Sequence, residues 1–397
     1  MPALVGTPAP VGTPPLDAFV TTMVSRLRAS TVSSRYLGPA LSALVINADD
    51  GSVVWQHNGT RARMPASAQK LLTTYTVLTF LDPTTTLVTT ICRSKRSPST
   101  VYVRGGGDPS LTQARVKTLA AQTATALKRA GRTRVSLHLD GSLFPAPTAA
   151  PGWTRGYLRS DVQPVRGLTL AGYRGTDGRL AVGKVLVAAL KARGVTATVA
   201  GTARTPRQCA VLATTRSALM TRLVTDMLAH SDNDYAEFLL RHAALAAGRT
   251  PSWRGAIDHQ AGLLADAGVP VAGLKVFDGS GLSRANRMPV ATLASVLRLL
   301  RQDPFLSGTV FAGRALPLAG RTGTLTDRFS APAHACARGL VQAKTGTLAD
   351  AVALAGVARG SDGRDRVFVF LDNGQRRISS VRSALDTLAT TVVGCVP

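Results

Sequence analysis

The chain has 397 residues, 45% of them hydrophobic, which is enough for a large core and predicts two domains. Its 47 Lys and Arg against 22 Asp and Glu give a net charge of +25, a field that steers polyanions toward the surface. The arginines are scattered, aromatics make up only 5%, and no helix-turn-helix or zinc-finger pattern occurs, so no nucleic acid is expected and anionic cell-wall polymer is the better candidate.

Residues 1–14, rich in Pro, Gly and Thr, read as a disordered leader. Met1-Pro2-Ala3-Leu4-Val5 lacks the charged start and long apolar core of a signal peptide, and no later run nears the roughly 18 apolar residues of a membrane span. The expectation is an exported protein whose leader has been removed. Cys92, Cys209, Cys336 and Cys395 support export, because none has the Cys-x-x-Cys spacing of a zinc site. Three pairings are open to four cysteines, with four buried thiols as the alternative. Cys92 with Cys209 would close the base of the middle region, and Cys336 with Cys395 would tie the C-terminal tail to a late strand.

Leu16, Phe19, Val20, Met23, Val24 and Leu27 recur at helical spacing. Segments 40–46 and 52–56 read as strands joined at Asp49-Asp50-Gly51, a hairpin signal. Pro65 then opens a predicted helix in which Ser67 and Lys70, three apart, share a face. From about 86 the texture changes to short strands, turns and arginines. Residues 86–212 hold 20 basic and four acidic side chains, a net +16. Within them 114–130 and 181–193 read as helices and 134–140 as a strand, while Gly105-Gly-Gly-Asp-Pro109 reads as a tight turn. Helical texture resumes near 215, so the predicted organisation is a leader 1–14, a first part 15–88, an inserted basic domain 89–212 and a second part 213–397. Helices are expected over 217–230, 235–247, 252–267, 290–302 and 378–393, and strands at Lys344-Thr345-Gly346-Thr347, 351–358 and 366–371. Two early and three late strands would form one antiparallel sheet flanked by helices, an α+β fold.

Three short strings carry the chemistry. Ser67-x-x-Lys70 pairs a hydroxyl with an amine that can take its proton. Ser231-x-Asn233 lies in a loop between helices, and Lys344-Thr345-Gly346 on a strand where glycine permits close backbone approach. Each alone is weak, and the ordered triple is specific. The histidines are dispersed without metal-ligand spacing, so neither a metal nor a cofactor is expected. A Ser-His-Asp hydrolase is disfavoured because Asp278-Gly-Ser280-Gly281 lacks the first glycine of the nucleophile elbow.

The triple resembles the penicillin-recognising serine enzymes. Asp278-Gly-Ser-Gly-Leu-Ser-Arg284, Leu316-Pro-Leu-Ala-Gly320, Gly323-Thr-Leu325 and Gly105-Gly-Gly-Asp-Pro109 are similar to the penicillin-binding protein 4 family, over about residues 40–375. The resemblance implies the five-stranded transpeptidase/β-lactamase-like fold and a D-alanyl-D-alanine carboxypeptidase or endopeptidase. Its partners would be peptidoglycan stem peptides, with β-lactams as inhibitors. By matched position, Ser67 is the nucleophile and Lys70, depressed in pKa by burial and by Lys344, its base. Ser231 relays a proton and Asn233 holds Lys70. The backbone N–H groups of Ser67 and Thr347 form the oxyanion hole, and Lys344, Thr345, Gly346 and Thr347 bind the terminal carboxylate. Ser280 and Arg284 are expected to face the cleft. Two departures stand out. Only 161 positions separate Lys70 from Ser231, which leaves room for one compact insertion. The family's side-chain-reading aspartate has no counterpart in its usual place, with Asp161 the nearest substitute. The alternatives are a serine β-lactamase, for which no positioned glutamate is evident, and a non-catalytic basic wall-binding protein, against which the intact motifs argue.

Overall fold

The computed structural model describes residues 18–395, so the leader expected over 1–14 lies outside the described residues. Helix α1 (Ala18–Ser33) precedes strands β1 (Leu41–Asn47) and β2 (Val53–His57), then α2 (Lys70–Phe80). Next come β3 (Val88–Ser94), β4 (Thr100–Arg104), α3 (Gln113–Arg129), β5 (Arg134–Asp140), the single turn α4 (Tyr157–Ser160), α5 (Gly178–Lys191), β6 (Thr196–Gly201) and β7 (Cys209–Arg216). The chain continues with α6 (Met220–His230), α7 (Asn233–Ala246), α8 (Trp253–Asp266), α9 (Val290–Gln302) and the short α10 (Pro304–Ser307). It ends with β8 (Val341–Leu348), β9 (Ala351–Arg359), β10 (Asp365–Asn373) and α11 (Ile378–Val393). None of the described helices is long and apolar enough to cross a membrane.

The first sheet has the order β2-β1-β10-β9-β8, antiparallel throughout. Strands β1, β9 and β10 are buried along nearly their whole length, because both faces of the sheet are covered. Leu44, Ile46, Ala353, Ala355, Val367 and Val369 pack into one core with residues of α2, α6, α7 and α9. The alternate residues Val45, Leu354, Phe368 and Phe370 pack into another with α1 and α11. That is the period-two division of a pleated strand between two cores.

The second sheet, β6-β5-β4-β3-β7, lies in sequence between α2 and α6. Strand β3 pairs antiparallel with β4 and β7, whereas β4, β5 and β6 run parallel with α3 and α5 as the connecting crossovers. Two disulfides occur. Cys92–Cys209 joins β3 to β7, and Cys336–Cys395 fastens the end of the chain after α11. Cys336 lies in a 3₁₀ segment, Pro332–Ala337, rather than on the expected strand, since Pro332 opens a tight turn there. Serine at both Cys92 and Cys209 should cost roughly 2–4 kcal/mol, read as a lower urea midpoint under conditions that keep Cys336–Cys395 oxidised.

Candidate active site

The chain around Ser67 departs from the expected helix start. Residues Ala66–Gln69 form a 3₁₀ turn, and α2 begins only at Lys70. Three residues per turn eclipse positions i and i+3, so Lys70 lies directly over Ser67. Ala66 adopts a left-handed φ of 45°, a strained conformation for a non-glycine residue, immediately before the hydroxyl.

Lys70 Nζ stands 3.0 Å from Ser67 Oγ, 2.7 Å from Asn233 Oδ1 and 2.8 Å from the Ser280 carbonyl oxygen. A neutral amine has two hydrogens and one lone pair. Asn233 Oδ1 and the Ser280 carbonyl can only accept, so together they claim both hydrogens and turn the lone pair toward Ser67 Oγ. Burial lowers the Lys70 pKa to about 8, against the opposing pull of Glu237, Asp232 and Asp278. The like-charge effect expected of Lys344 falls on the other partner: burial first, then Lys70, holds Lys344 well below its ordinary value.

Asn233 is placed by the junction of two helices. Ser231 ends α6 in a left-handed conformation, φ 58°, and Asp232 caps α7 by accepting from the Tyr235 N–H at 2.9 Å. Asn233 Nδ2 then donates to the Asp161 carbonyl at 3.1 Å. The neighbouring Asp234 accepts from the Gln163 backbone N–H (2.7 Å), Gln163 Nε2 (3.1 Å) and Arg174 (2.8 Å). The segment 163–174, between α4 and α5, is thereby latched to the second motif. Asp161, considered as a reader of the substrate side chain, contributes its main-chain carbonyl here, and its carboxylate accepts from Ser160 Oγ.

The Asp278–Arg284 loop closes the site from below. Asp278 is fully buried and accepts from the N–H groups of Gly281 and Ser283 and from Asn286 and Trp153. Glu237, also fully buried, accepts from the N–H groups of Gly279 and Ser280, while Thr73 Oγ1 donates to the Gly279 carbonyl at 2.7 Å. Two successive peptide groups are therefore fixed: 279–280 between Glu237 and Thr73, and 280–281 between Asp278 and Lys70. Burial, with Asp278 beside it, drives the Glu237 carboxyl pKa upward. Two expectations are corrected. Ser280 has no exposed surface and serves through its carbonyl, its hydroxyl being turned toward Asp278. Arg284 is an ion-pair partner, its Nη2 2.8 Å from both oxygens of Asp350.

The third motif lies on β8, the edge of the first sheet. Ala343 N–H donates outward to Pro317 and the Val341 carbonyl accepts from Ala319, so the odd-numbered residues turn their peptide groups away from β9. Continued alternation points the Thr345 and Thr347 N–H groups out of the open edge. A Cβ on Gly346 would lie 2.8 Å from the Pro65 carbonyl oxygen and 3.1 Å from Ala66 Cβ, so glycine is what lets β8 touch the Ser67 turn. Lys344 has no exposed surface and donates to the Thr345 carbonyl at 2.8 Å, so its amino group is turned inward. Thr345 Oγ1 donates to Thr324 Oγ1, and Thr347 Oγ1 accepts from Arg382.

Ser67, Lys70, Asn233 and Ser280 thus meet directly. Ser231 lies two residues from Asn233, and β8 packs on the Ser67 turn. Glu237 went unread in the sequence, although it sits four residues after Asn233 on one face of α7, a spacing that could have revealed it. Arg382 had no local signal, being 35 positions from Thr347.

The two-sheet architecture and the serine–lysine–asparagine cluster define a penicillin-recognising transpeptidase/β-lactamase-like fold. The crystal structure of penicillin binding protein 4 from Haemophilus influenzae superposes with a TM-score of 0.76 at 20% identity, covering 92% of this chain and 97% of that one. The D-Ala-D-Ala carboxypeptidase 3 (S13) family matches residues 27–172 and 169–392, and the chain belongs to that family. Carboxypeptidase DacB of Mycolicibacterium smegmatis is 31% identical over 97% of this chain and 87% of its own length. Carboxypeptidase Rv3627c of Mycobacterium tuberculosis is 30% identical over 89% and 80%.

Proposed function

We propose that this chain is a serine D-alanyl-D-alanine carboxypeptidase and endopeptidase that cleaves peptidoglycan stem peptides through an acyl-enzyme on Ser67. The observation that carries the reading is the arrangement at Lys70 Nζ, whose two hydrogens are claimed by Asn233 and Ser280 while Ser67 Oγ waits at 3.0 Å. Lys70 takes the Ser67 proton as the oxygen attacks the carbonyl between two D-alanines. The N–H groups of Ser67 and Thr347 receive the developing oxyanion, each such donor being worth about 2.7–4 kcal/mol in comparable sites. Ser231 passes the proton to the departing D-alanine amine, and water then releases the acyl group by the reverse relay. The Thr345 and Thr347 hydroxyls line the subsite for the donor's free carboxylate. β-Lactams acylate the same oxygen.

The substrate lies outside the cytoplasmic membrane, and two disulfides suit an oxidising compartment. Residues 89–212 are read as an inserted basic domain, and the +16 carried by residues 86–212 favours contact with anionic wall polymer. Incubation with D-Ala-D-Ala-terminated peptides should release free D-alanine, and mass spectrometry after penicillin should place one stable adduct on Ser67. Rapid loss of the adduct with accumulation of hydrolysed drug would instead favour the β-lactamase reading. No adduct and no D-alanine would leave a wall-binding protein.

A further inference from the structure

We propose that Arg382 supplies the positive charge that binds the donor's free carboxylate, a role that rests on the acyl-enzyme reading and adds a residue from α11 to its site. The guanidinium is half-buried, and its Nη2 donates to Thr347 Oγ1 at 3.0 Å. Thr347 is also the residue whose N–H leaves the open edge of β8 toward the reacting carbonyl. Arg382 is therefore tethered one side chain away from the position where the acyl donor must lie.

Three other basic residues at the site are already committed. Lys70 and Lys344 have no exposed surface, and their amino groups bond inward. Arg284 is neutralised by Asp350. One turn along α11 from Arg382 stands Asp386, but Arg328 holds both of its oxygens at 2.7 and 2.9 Å. Among the described residues no carboxylate lies within ion-pair distance of Arg382. Its surroundings are net unfavourable to a cation: burial and Arg328 lower its pKa, with Asp386 opposing. A bound anion would relieve that state. Of the five N–H donors of a guanidinium, one is spent on Thr347, which leaves an edge free for bidentate contact with a carboxylate.

The test compares acylation by benzylpenicillin and by its methyl ester, which differ only in the carboxylate. In the wild type the acid should acylate faster than the ester. In Arg382→Ala the acid-to-ester ratio of second-order acylation constants should fall about 10- to 100-fold, the range for a hydrogen bond to a charged group. Arg382→Lys, which keeps the charge and loses the planar fork, should give an intermediate ratio. Equal slowing of acid and ester in Arg382→Ala would make Arg382 a mere brace for Thr347 and overturn the proposal, as would an unchanged ratio. A wild type labelled by neither compound would overturn the acyl-enzyme reading and this one with it.

Discussion

Replacing Lys70 with methionine is expected to slow penicillin acylation of Ser67 by roughly 10²- to 10⁴-fold, the usual worth of a positioned general base. Methionine keeps the length and apolar character of the lysine stem in its fully buried channel, so the fold should survive and circular dichroism should be unchanged. The wild-type profile follows from the same side chain. Burial penalises the ammonium and brings Lys70 to about 8, and only the neutral amine can accept the Ser67 proton. The acylation rate should therefore rise with pH along a limb centred near 8 and level off above it. A stopped-flow profile that is flat from pH 6 to 9 would show that Lys70 is not the base.

Gly281→Ala should be the most damaging single-methyl change near the site. A Cβ there would sit 1.9 Å from the Ala66 carbonyl oxygen and 2.5 Å from its carbon, and the residue holds φ +85°. Neither neighbour can yield, because Ala66 is itself left-handed and leads directly into Ser67. The cost should reach about 2–5 kcal/mol, combining overpacking with an unfavourable backbone conformation. Moving the loop also withdraws the Ser280 carbonyl from Lys70, so the lone pair is no longer aimed. We expect both a lower denaturation midpoint and at least about a tenfold slower acylation of the protein that remains folded.

The three candidate strings and most of the elements that carry them were legible in the sequence. Ser67, Lys70, Asn233 and Lys344 belong to short patterns whose chemistry is local, and the apolar runs of β1, β9 and β10 are long enough to identify a sheet covered on both faces. What stayed hidden depended on distant partners. Ser280 looked like a cleft hydroxyl because a sequence cannot tell a side chain from the carbonyl behind it. Arg284 looked like a substrate ligand because Asp350, 66 positions away, gives no sign of pairing with it. The 3₁₀ turn at Ala66–Gln69 escaped because the helix after it has the same apolar texture. Glu237 went unread, and Asp278 was legible only as the head of its motif, because the burial of both carboxylates against that loop's backbone depends on the fold.

The latch between Asp234 and the Gln163–Arg174 segment bears on how this protein can be cut or rebuilt. Excising the β3–β7 unit would leave the Asn233 amide without its acceptor at Asp161 and deprive the Asp234 carboxylate, one residue away, of three donors. The middle third of the chain is not a detachable accessory. A minimal enzyme derived from this scaffold has to retain it or install replacement partners for both side chains.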